Sequence, residues 1–112
     1  MKKQSKLFLK NNPTIKDFQQ YVLDLEKERD FNQEIFENCL QMGEEVGELF
    51  KAIRKNINMS IDSNSKISSV EEELVDVLIF VLAIANRFNI DLEKAFREKE
   101  EINKKRVWKK NK

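Results

Sequence analysis

From Thr14 onward, apolar residues recur every three or four positions, the spacing of a helix with one buried face. Ile15, Phe18, Val22 and Leu25 form the first stripe. Just before it, Pro13 and Thr14, with Asp17 three residues beyond Thr14, have the pattern of a capped helix start. This predicts a first helix running to about Glu28. After a break over 29–32, a longer stripe of Ile35, Cys39, Met42, Val46, Leu49, Phe50 and Ile53 predicts a second helix. Residues 56–68, NINMSIDSNSKIS, are rich in Asn and Ser and predict a flexible crossover loop. A third helix is expected from Ser68 or Ser69, each followed three residues later by a glutamate, to about 87–89. A fourth should begin at Asp91 and carry a weaker stripe of Leu92, Ala95, Phe96 and Ile102.

Two glycines and one proline in 112 residues leave little turn chemistry for hairpins. The expected fold class is therefore all-α, a four-helix-type bundle over 14–108, with a flexible N-terminal segment at 1–13 and a basic tail at 109–112. The third helix is apolar on nearly every side after Leu74 and should be central. A chain this short builds only a modest core alone, so an oligomer, a homodimer or homotetramer, is expected.

Charge narrows the choice of partners. With 21 basic and 20 acidic side chains, no global field for a polyanion is implied. The tail NKKRVWKKNK reads as a solvated end with Trp108 packed on a neighbour in preference to nucleic-acid contact. No apolar run reaches the ~20 residues of a membrane span, and the three-residue apolar patch of MKKQSKLFLKNN is too short for a signal-peptide core. A lone cysteine, Cys39, has no disulfide partner; it is expected to be plain packing and fits a reducing, cytoplasmic setting. The chain has no histidine, which excludes His-dependent triads and leaves oxygen ligands for any metal.

Two stretches set carboxylates against apolar stripes: GEEVGELFKAI at 43–53 and EEELVDVLIFVLAIA at 71–85. At about 100° per residue, Glu45 and Glu48 sit side by side at one border of the second helix's stripe. Glu44 falls further round, almost opposite it. Gly43 and Gly47 leave room for another helix or a ligand. Glu73 and Asp76 share a face of the third helix, and Asp76 is the sole polar residue between Leu74 and Ala85. No basic residue on that helix precedes Arg87 to compensate it. Each carboxylate string taken singly reads as a solvated face, but on two helices that pack together they ask for a divalent cation, Mg2+ or Mn2+ given hard oxygen ligands.

EEVGEL followed after a loop by EELVDVL resembles the paired motifs of the MazG-like all-α nucleoside triphosphate pyrophosphohydrolases, and the likeness runs over most of 14–108. The resemblance implies a magnesium-dependent enzyme that cleaves a nucleoside triphosphate between its α and β phosphates, releasing a monophosphate and pyrophosphate, in a house-cleaning role. It implies Glu45, Glu48, Glu73 and Asp76 as metal ligands and Glu44 as the residue that holds or deprotonates the attacking water. Lys99, Asn103 and Arg106 share a helix face and would by the same likeness contact phosphates, with Asn86 near the nucleotide; simple surface charge and a helix-end cap are the plainer roles. The chain lacks the histidine-rich neighbourhood of the histidine-biosynthesis relatives, which argues against phosphoribosyl-ATP. It also lacks a first-half tryptophan to stack a base; Phe31 or Phe36 could substitute, with core packing the plainer role. The rival reading is a catalytically silent helical protein that binds nucleotides or nucleic acid and regulates.

Overall fold

A computed structural model describes residues 4–109, and contains four helices: α1 (Ile15–Glu28), α2 (Ile35–Asn56), α3 (Val70–Arg87) and α4 (Leu92–Lys104). The basic tail beyond Lys109 and residues 1–3 of the N-terminal segment lie outside the described residues. Each helix begins where its cap stands. Thr14 and Asp17 form a reciprocal capping box, and the side chains of Glu34, Ser69 and Asp91 accept hydrogen bonds from Glu37, Glu72 and Lys94 N–H. Of the two serines expected to open α3, Ser69 is the cap.

The helix ends follow a rule the glycine count conceals. Asp30, Asn58 and Asn89 adopt φ of 54°, 62° and 53° just past α1, α2 and α3. In each case the next residue's N–H bonds back across the last turn: Phe31 to Glu26 O, Met59 to Arg54 O and Ile90 to Ala85 O. Short polar side chains thus take the left-handed position that glycine usually fills.

α3 packs antiparallel against α2 and also against α1, and α4 docks on α1. The core cluster, Val22, Leu25, Leu82 and Ala83, lies in the α1–α3 seam, with Phe18, Ile79 and Leu92 beside it. Leu7 packs on this cluster as well, and Ser5 and Lys6 donate to the Glu28 carboxylate, which ties residues 5–7 to α1. Buried Gln19 ties three elements together. Its amide donates to Asn86 Oδ1 and Ile90 O at 3.1 and 2.8 Å, and its Oε1 accepts from Leu92 N–H at 3.1 Å.

α2 turns a different face inward from the one its apolar stripe suggests. Asn38 and Ala52 are its buried residues, whereas Cys39 is exposed and Phe50 is 59% exposed. The face toward α3 runs through Asn38, Gln41, Glu45, Glu48 and Ala52, one position away from the apolar stripe. The expectation that Cys39 is packed therefore fails within one chain.

Apolar surface is left over. Leu74, Val75, Leu78 and Val81 form a stripe on α3 and are 52%, 55%, 47% and 38% exposed. The accessible surface, 9714 Å², exceeds the roughly 6,500 Å² of a compact monomer of this mass. The radius of gyration, 17.4 Å, exceeds the roughly 13 Å of a compact chain of this length. One chain alone leaves α3 uncovered on that side.

Candidate metal centre

Antiparallel packing sets the middle of α2 against the first turns of α3. It brings Glu45, Glu73 and Asp76 together, with one carboxylate oxygen from each lying within 4.8 Å of the others. Glu73 is buried, and Glu45 and Asp76 are half-buried. Ser68, the last residue of the crossover, donates a hydrogen bond to Glu73 Oε1 and so fixes its rotamer. The other oxygen, Glu73 Oε2, is buried with no partner.

Such a cluster is costly when left bare. Burial pushes the Glu45 carboxyl above its ordinary range, and repulsion from Asp76 and Glu73 adds to the shift. Burial likewise raises Asp76, with repulsion from Glu73 second. Among the described residues, none of the three has a basic partner. A buried, orphaned carboxylate oxygen facing two further carboxylates fits a hard divalent cation, because the donor set is oxygen throughout.

The other residues expected at the site are placed differently. Glu48 lies one turn beyond Glu45 but outside the trio, and its carboxylate is 3.6 Å from Lys51 Nζ. Glu44 is exposed, flanking Glu45. Asn86 is engaged with α1: its Nδ2 donates to Gln19 O at 2.9 Å and its Oδ1 accepts from Gln19. Lys99 borders an apolar groove with Phe18, Leu78 and Phe96. Asn103 donates to Glu100 Oε2 at 2.7 Å, and the Arg106 guanidinium sits 4.8 Å from the centroid of the Trp108 ring. Trp108 itself is 69% exposed, and its Nε1 donates to Asn103 O at the end of α4. No α4 residue belongs to the trio or lines the cavity beside it.

That cavity, about 300 Å³, runs from Glu45 and Asp76 between α1, α2 and α3. Leu25, Ile79 and Phe80 give it apolar walls, and Glu26, Asn38 and Arg29 bring polar groups to it. Glu26 is buried and pairs with Arg87 at 2.7 Å. Burial raises its carboxyl, and the guanidinium charge opposes that shift. Arg87 also donates to Ala83 O and Gln33 O, which holds the α1–α2 connection on α3. Four residues beyond those expected stand here: Ser68, Asn38, Glu26 and Arg87. A signal existed for Asn38 alone, which stands two turns before Glu45 on the polar stripe.

An all-α bundle with a carboxylate centre on facing helices is the class this arrangement defines. Comparison with known proteins gives the family. Residues 33–109 match the MazG nucleotide pyrophosphohydrolase domain. Crystal structures of iMazG from Vibrio DAT 722, in Ctag and Ntag forms, are 35% identical with a TM-score of 0.62. The match covers 81% of this chain and 98% and 94% of theirs. No curated protein matches the chain. The chain belongs to the MazG nucleotide pyrophosphohydrolase family, hydrolases acting on the acid anhydride of nucleoside triphosphates. No helix among the described residues is long and apolar enough to cross a membrane.

Proposed function

We propose that this protein is a magnesium-dependent hydrolase that cleaves nucleoside or deoxynucleoside triphosphates between the α and β phosphates, and that it clears noncanonical or surplus nucleotides. The observation that carries the reading is the orphaned Glu73 Oε2 within the carboxylate trio. Glu45, Glu73 and Asp76 would hold the cation, with Glu48 joining them once its side chain leaves Lys51. Mn2+ satisfies the same donor set. When bound, the cation supplies a lowered pKa for water and neutralises charge on phosphate oxygens.

The chain's own residues supply the rest. Glu44 is exposed beside Glu45 and outside the trio, which suits a carboxylate that orients the attacking water and accepts its proton. Ser68 keeps Glu73 aimed inward. The exposed α3 stripe supports a homodimer or homotetramer. Lys99, Asn103 and Arg106 are proposed as phosphate contacts delivered across a subunit interface, since no α4 residue lines the cavity in one chain. Asn86 holds the α1–α3 seam through its two hydrogen bonds with Gln19.

A panel of ribo- and deoxyribonucleoside triphosphates with and without magnesium, scored separately for pyrophosphate and for phosphate, tests the reading. Pyrophosphate release that requires the cation is expected. Release of phosphate alone, or turnover unaffected by chelation, would overturn it.

A further inference from the structure

We infer that Ser68 latches the crossover between α2 and α3 to the carboxylate trio, so that a cation in the trio orders the crossover and release of the crossover weakens the trio's hold on the cation. This rests on the proposed cation site and goes beyond it by making a segment with no ligand of its own respond to the site's occupancy. The crossover is anchored at its two ends. At the first, Met59 N–H bonds back to Arg54 O at 2.8 Å, and Arg54 Nη2 donates to Ser60 O at 2.6 Å. Further on, Ser65 N–H donates to Asp62 O and Asn64 N–H to Asp62 Oδ1, both bonds internal to the crossover. Half-buried Ile67 shares a groove with Ala52 and Asn56 toward the end of α2. Among the described residues, no hydrogen bond joins 61–67 to a helix. Ser68 holds the second end, through its hydroxyl on Glu73 Oε1.

That bond plays no part in starting the helix. Ser69 is the cap of α3: its hydroxyl accepts from Glu72 N–H at 3.1 Å and its carbonyl from Glu73 N–H at 3.1 Å. The Ser68 hydroxyl reaches past the cap to a buried carboxylate, a charge-assisted bond. It satisfies one Glu73 oxygen and leaves Oε2 buried without a partner. Without a cation, Glu45 and Asp76 repel Glu73 at close range, and the Ser68 contact opposes that repulsion. Turning Glu73 outward would relieve the repulsion and free the second end of the crossover together. A divalent cation inverts the balance, because it favours the inward position, the one in which Ser68 and Glu73 meet. Ser68 is thus a positioning residue that acts on the cation through Glu73. Such coupling is mutual: a contact that raises affinity for the cation is itself strengthened by the cation, by the same factor. Partners that orient metal ligands contribute roughly 10- to 100-fold in affinity.

The test combines two measurements on the full chain. Calorimetric titration with magnesium should give a Kd about tenfold or more above the parent's for Ser68→Ala, and within about threefold of it for Ser68→Thr, which keeps the hydroxyl. Amide exchange across 61–67 should slow about fivefold or more in the parent when saturating magnesium replaces chelator. Ser68→Ala should lose most of that slowing. Helicity by circular dichroism checks each variant, and the parent's exchange response stands whether or not a variant folds. An unchanged Kd in folded Ser68→Ala, a folded Ser68→Thr as weak as Ser68→Ala, or parental exchange at 61–67 indifferent to magnesium would each overturn the latch. A parent that binds no magnesium would overturn the cation reading and the latch together, whereas a bound cation with an unresponsive crossover overturns the latch alone. A responsive crossover without pyrophosphate release from nucleoside triphosphates would instead overturn the catalytic reading and leave the latch standing.

Discussion

Glu73→Gln separates a cation site from an ordinary buried carboxylate. The substitution keeps the acceptor that Ser68 contacts, preserves side-chain shape and removes one charge from a trio held within 4.8 Å. At that separation, two unit charges repel by about 0.9 kcal/mol in a water-like medium and about 3.5 kcal/mol at an effective dielectric constant near 20. Glu73 faces two such neighbours, so the relief spans about 2 to 7 kcal/mol with all three ionised. Proton uptake by Glu45 or Asp76 caps this, and the new amide can donate to either. We expect about 1 to 3 kcal/mol of added stability in chelator, a rise of several degrees in Tm. Magnesium should reverse the order. A cation at one hundred times its Kd stabilises the parent by about 2.7 kcal/mol, and the variant should lose most of that increment. The assay is thermal unfolding at one protein concentration, in chelator and in millimolar magnesium. A variant less stable than the parent in chelator, or equal responses to magnesium in both proteins, would refute the argument.

Glu44→Gln should keep magnesium and imido-nucleotide binding by calorimetry while turnover falls roughly 10² to 10⁴-fold; loss of cation binding as severe as in Glu45→Gln would make Glu44 a ligand. Sedimentation at micromolar concentration should show a dimer or larger, and Leu78→Glu, on the exposed α3 stripe, should shift it to a smaller species. A monomeric parent would contradict the interface. Asp17, held below its ordinary value of 3.8 by the Thr14 backbone N–H and hydroxyl, contributes stability above that value that is lost as pH falls through its folded-state value. The Tm gap between the parent and Asp17→Asn should therefore be present at neutral pH and close below about pH 4; a gap unchanged in stronger acid would show that the capping box is not its source.

Local chemistry was the part of the fold most legible in the sequence. Thr14, Ser69 and Asp91 each open a helix where a side chain can accept from a nearby backbone amide, a relation confined to a few residues. The apolar stripes and the breaks between them mark where α1, α2 and α3 end but not what stops them. With two glycines in the chain, Asp30, Asn58 and Asn89 take the left-handed positions, and no pattern of apolar residues announces that. Which face of α2 meets α3 was less legible. The apolar stripe through Cys39, Met42, Val46 and Ile53 is the stronger pattern, but the seam follows Asn38, Gln41, Glu45, Glu48 and Ala52. A polar seam is stable only if something satisfies it, so periodicity favours the neighbouring stripe.

The site residues divide along the same line. Glu45, Glu73 and Asp76 announce themselves because each is a charge bordering an apolar run, and their meeting follows once α2 and α3 pack antiparallel. Glu26 and Arg87 give no comparable signal. They lie 61 positions apart, and each alone reads as a charged residue near a helix end. Only the crossing of α1 over α3 makes them a buried pair. Asn38 falls between these cases, lying two turns before Glu45 on the same stripe, so any ligand held by Glu45 that extends along α2 toward its N-terminus must pass beside it. The carboxylates Glu45 and Asp76 and the polar groups of Asn38 and Glu26 line one cavity, so the two sets meet only through the packing of α1, α2 and α3. The carboxylate trio is legible from charge against hydropathy. The Glu26–Arg87 pair becomes legible only when the helices are seen in contact.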